Sequence, residues 1–89
     1  MIEDIIRMTR DLRKQMESNI PILEREIDLM IQNREERPEN IEWVLDTLLD
    51  YIDLGVGEKQ FLRLNSYYAS FYPENSAQYD KFYLDTVGQ

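Results

Sequence analysis

The chain has 89 residues, a formal charge of −8, and neither cysteine nor histidine. Those two absences exclude disulfides, thiolate metal sites, cysteine nucleophiles and histidine-based acid–base or metal chemistry. The acidity argues against direct nucleic-acid binding, while 43% hydrophobic residues with 11% aromatics place the chain among folded sequences.

Ile2, Ile5, Thr9, Leu12 and Met16 recur at alternating three- and four-residue steps, with Ile6 beside them. That spacing predicts a helix over residues 2–18 with one apolar stripe of the coiled-coil kind. Pro21 admits two arrangements: a break at Ser18-Asn19-Ile20 between two helices, or one long helix kinked at Pro21. The break is the expectation, because helices of ~35 residues are rare in small domains. Residues 22–33 are helical either way. Ile22, Leu23, Ile27, Leu29, Met30 and Ile31 cover more than half of that circumference, so the segment must touch more than one neighbour.

Residues 34–40 (REERPEN) lack large apolar side chains and form the clearest linker. Pro38 suits the first position of the next helix, with Glu39 and Glu42 near its positive end. Over residues 38–54, Ile41, Val44, Leu45, Leu48, Leu49 and Ile52 mark a helix closed by Gly55 in the left-handed conformation. Phe61, Leu64, Tyr68 and Phe71 predict a further helix over 58–71, ended by Pro73. Asn75 or Ser76 then caps a short last helix over 77–86 that buries Tyr79, Phe82 and Tyr83. No segment alternates with period two. The expected fold is an all-α bundle of four to five short helices in a single domain, residues 1–89.

Charge and aromatics are unevenly placed. Residues 24–59 carry eleven acids against four bases, residues 1–17 carry four of each, and eight of ten aromatics lie between Phe61 and Tyr83. On the helix over 38–54, Trp43, Asp46 and Asp50 fall opposite the core stripe, with Asp53 on the flank. An indole framed by aspartates suits a contact site for a basic protein partner. The plainer alternative packs Trp43 under the linker or against the first helix. Tyr67 lies away from the Phe61–Leu64–Tyr68 face, as a further contact or as a ring covered by the last helix. Arg7, Arg10 and Lys14 form a basic stripe. It meets the acidic middle third, within the chain or across a dimer, or it is a solvated face.

Little enzymatic chemistry remains open. Gly55, Gly57 and Gly88 make no phosphate-binding loop, and Asp50 to Gly55 lacks the ligand spacing of a calcium hand. No cofactor is expected. The pairs Glu36/Glu39 and Asp50/Asp53 resemble the paired acidic motifs of all-α nucleoside triphosphate pyrophosphohydrolases, a resemblance that implies Mg²⁺ held between helices. Pro38 separates the first pair and keeps it off a common helix face. Tyr67-Tyr68 and the acidic middle third resemble, in kind, the small acidic immunity proteins that inhibit bacterial nucleases.

The reading that follows is a non-enzymatic acidic helical protein-binding module: an inhibitor, an antitoxin-like protein or a small regulatory subunit. It docks on a protein partner through the Trp43/Asp46/Asp50/Asp53 face with Tyr67, or through the aromatic last third, and associates as a homodimer. The alternatives are a Mg²⁺-dependent enzyme and an acidic mimic of nucleic acid built on Asp46, Asp50 and Asp53. No apolar run reaches the ~20 residues of a membrane span, and the mixed-charge stretch Met1 to Arg10 does not read as a signal peptide. The expected location is cytoplasmic, away from any membrane.

Overall fold

A computed structural model describes residues Ile2 to Gly88. Among them the chain forms four helices and no strand: α1 (Ile2–Gln32), α2 (Pro38–Ile52), α3 (Glu58–Ala69) and α4 (Pro73–Val87). No helix among the described residues is long and apolar enough to cross a membrane.

The break expected at Ser18-Asn19-Ile20 is absent, for α1 runs 31 residues through Pro21. The apolar stripe explains the continuity. It carries on past the proline through Ile20, Leu23, Ile27 and Met30, so one face stays apolar throughout. Pro21 and Glu17 are both exposed. The Glu17 carbonyl that the ring deprives of a donor therefore stands where water can satisfy it. The bundle thus has three short helices and one long one.

The helix ends follow from local chemistry. Pro38 opens α2 at its first position, as its fixed φ dictates. Gly55, at φ 79°, closes α2 with Gly55 N–H donating to the Ile52 carbonyl and Val56 N–H to that of Tyr51. Arg34 closes α1 in the same way at φ 53°, with Glu35 N–H donating to the Met30 carbonyl. Gly57, at φ 88°, lies under α1 and α2: a Cβ there would stand 3.0 Å from Leu48 Cδ2 and 3.4 Å from Ile20 Cδ1.

The last helix begins at Pro73, not at residue 77. Proline is favoured at the first helical position, and Asn75 and Ser76 are used elsewhere. Ser76 Oγ lies 2.9 Å from the backbone and side-chain oxygens of Asn65, and Asn65 Nδ2 donates to the Ser76 carbonyl and to Asp80. This buried exchange locks α3 onto α4. Phe82, expected in the core, is half-exposed and covers only the edge of Tyr79.

The core centres on α2. Ile41, Val44, Leu45 and Leu48 are fully buried against Phe61, Leu64 and Tyr68 of α3 and Ile27 of α1, with Tyr79 of α4 at its edge. α1 joins this core from Ile20 onward, with Leu23, Ile27 and Met30 buried. Every residue from Ile2 to Gln15 is exposed. The molecule measures 47 × 26 × 18 Å, and its long axis is α1 itself, about 46 Å at 1.5 Å per residue.

Candidate protein-binding surfaces

The carboxylates of α2 divide into those held by the fold and those left outside it. Tyr79 donates its hydroxyl to Asp46 at 2.7 Å. Burial, then that bond, push the Tyr79 hydroxyl far above its ordinary pKa. Tyr68 donates to Glu42, and Asn75 donates to the Tyr68 oxygen at 3.0 Å. Burial first, then the Glu42 bond, raise Tyr68 to about 12. Tyr83 donates to Glu58 in the same manner. The acidic middle third and the tyrosine-rich last third are thus partners within the chain, hydroxyl on carboxylate. The signal was present in the sequence as two adjacent compositional biases, but the pairing needs tertiary structure.

The predicted contact residues separate accordingly. Asp46 is exposed yet tethered to Tyr79. Tyr67 is half-buried, and its hydroxyl donates to the backbone carbonyls of Glu35 at 2.8 Å and Met30 at 3.3 Å. Its ring packs edge-on against Phe71. It buckles α3 to the α1–α2 connection. Asp50 and Asp53 are exposed along the outer ridge of α2. Among the described residues, no three carboxylates converge where a cation could sit; Glu36/Glu39 and Asp50/Asp53 remain isolated pairs.

Trp43 is 65% exposed. It stands at the mouth of an open cleft of about 410 Å³ between α1 and α2, with Leu29 and Met30 on one side and the Glu35–Arg37 pair on the other. That wall is rigid. Glu35 accepts from Arg37 Nε at 2.7 Å and from Asn40 Nδ2 at 3.1 Å. The Arg37 guanidinium, chiefly through that hydrogen bond, holds its carboxyl down at about 2.

The largest bare surface lies on α1. Ile5 is 63% and Met8 70% exposed, with Ile2, Ile6 and Leu12 also open to solvent. Ile5 and Leu12 continue the stripe that is buried from Leu23 to Met30, with Ile2, Ile6 and Met8 flanking it. Five such side chains on adjacent turns expose on the order of 600 Å², at the top of the ~300–600 Å² that a monomer's largest patch shows. The spacing announced this stripe; what the sequence left open was that the bundle would not cover it. Comparison with protein-family models, curated proteins and solved structures finds no match.

Proposed function

We propose that the chain is a non-enzymatic protein-binding module whose contact element is the bare apolar face of α1, extended by Trp43. One observation carries this: a single stripe is buried from Leu23 to Met30 and open from Ile2 to Leu12 on the same continuous helix. A helical stretch of ~15 residues with nothing packed on it is marginal in water, since most helix stability comes from tertiary burial. A protein surface laid along residues 2–12 supplies that burial. Trp43, a large amphipathic ring at the edge of a cleft, is the natural anchor.

Two further features support the reading. The chain has no histidine or cysteine for acid–base or nucleophilic work. Glu42, Asp46 and Glu58 each hold a tyrosine hydroxyl, so these carboxylates serve the fold. Exposed Asp50 and Asp53, two to three turns beyond Trp43, bias that end of α2 toward basic partners.

Site-specific photo-crosslinking in cells tests this. A diazirine side chain at position 8 is expected to trap protein in far higher yield than the same group at exposed Gln78 on α4. Equal yields at the two positions would overturn the proposal.

A further inference from the structure

Ile5, Met8, Leu12, Gln15, Asn19, Ile22, Glu26 and Leu29 follow one another along α1 at alternating three- and four-residue steps, and every one of them is exposed. Ile5 and Leu12 start on the stripe that takes Leu23, Ile27 and Met30 into the core, and from Gln15 onward the row swings one ridge away from it. It runs nearly the whole length of the helix and ends beside Trp43, since Leu29 and Trp43 share the cleft. Five of these eight three-four positions are apolar, which gives the row the character of a coiled-coil seam with a polar centre.

We propose that a second copy of this chain covers the row, α1 against α1, antiparallel and centred beside Glu17. The inference rests on the protein-binding reading above and names its partner. In this register Ile5 faces Leu29 of the second copy and Leu12 faces Ile22. Met8 lies over the aliphatic stem of Glu26, and Gln15 meets Asn19, whose Nδ2 donates to the Tyr51 hydroxyl at 3.0 Å within its own chain and whose side-chain oxygen accepts from Gln15. Apolar side chains meet apolar ones toward both ends. Side-chain amides meet at the centre, where a polar pair fixes register at some loss of stability. The first turns of the second copy then reach Trp43, and its Ile2 and Ile5 lie at the mouth of the cleft.

Area and charge both favour this occupant. Ile5, Met8, Leu12, Ile22, Leu29 and Trp43 from two copies expose roughly 1,500 Å² together, within the ~1,200–2,000 Å² of a stable specific interface. Residues 1–17 are neutral, so the whole charge of −8 lies beyond them. Antiparallel pairing brings each neutral segment against the partner. It separates the two acidic bodies by about 28 Å along the helix axis, at 1.5 Å per residue. That is several Debye lengths of ~8 Å at physiological salt. Parallel pairing would set Glu26 on Glu26 and the acidic bodies side by side.

The absence of native cysteine makes disulfide trapping a clean test. Within one helix, residues 12 and 22 stand about 15 Å apart, beyond the reach of a disulfide. The oxidised Leu12→Cys/Ile22→Cys chain is expected to become a covalent dimer, while Leu12→Cys alone stays unlinked. Sedimentation of the unmodified chain should report a dimer that survives molar salt. Leu12→Asp should raise its dissociation constant at least ~100-fold with the cooperative melt of the body retained, because Leu12 is exposed in the single chain and lies outside the core cluster. A chain that sediments as a monomer, a Leu12→Cys chain that links to itself, or a Leu12→Asp dimer that stays intact would each overturn the pairing. A monomer that still crosslinks to other proteins from position 8 would remove only this inference. A monomer with no such adducts would remove the protein-binding reading with it.

Discussion

A tyrosine hydroxyl on a carboxylate is a pH-dependent clasp, because the bond exists only while the phenol keeps its proton. Tyr68 loses its proton near 10 when unfolded and at about 12 in the fold. Between those values the folded state binds more protons, so stability falls as pH rises. Below about 10 that contribution is fully present. Thermal melts at about pH 9 and about pH 11 should therefore show a loss of stability on the alkaline side. Tyr68→Phe should lessen that loss, the remainder belonging to Tyr79 and the other raised tyrosines, at the expense of about 1–2 kcal/mol near neutrality for the missing bond to a charged acceptor. An unchanged alkaline slope would mean the clasp contributes nothing. At this scale legibility depended on whether one residue carries its own signal. Gly55 did, since a left-handed closing position favours glycine. Arg34 did not, because an arginine at φ 53° announces no turn. Tyr67 was read as a choice between contact and cover, and its two backbone acceptors, Met30 near the end of α1 and Glu35 in the connection after it, lie more than thirty residues away.

A helix is decided by its faces more than by its worst residue. Pro21 has the strongest local objection to a helix interior, yet α1 continues because the objection falls on an exposed face and the apolar stripe does not pause. The stripe, the Pro38 start of α2 and the apolar period of α3 were all legible, since each is a repeat that several residues share. The misplaced start of α4 came from reading Asn75 as a cap, when its amide is spent on Tyr68 and Glu42. Pro21→Ala restores the missing N–H and removes the ring, and should strengthen α1 by about 1–3 kcal/mol. The expected record is slower amide exchange over residues 10–20, with the exchange of α2 little changed. If exchange in α2 slows equally, α1 and the body open as one unit and the exposed stretch is not separable from it.

The molecule as a whole exposes 6423 Å², against roughly 5,500 Å² for a compact chain of this mass. Its radius of gyration is 14.2 Å, against about 12 Å for a compact chain of this length. Both excesses come from one rod standing off a small body. A chain lacking residues 2–15 should keep the near-ultraviolet signal of its buried tyrosines and a cooperative melt, since none of the removed residues is buried. Loss of cooperativity would show that the rod supports the body. Composition and periodicity foretold an all-helical chain, but the share of α1 left outside is a property of how α2, α3 and α4 close on one another. That division also bears on how such a sequence can diverge. Substitutions in the body are filtered by folding, whereas those on the bare rod are filtered only by what it meets. Recognition can therefore drift, specialise or change hands between lineages while the body that carries it stays the same.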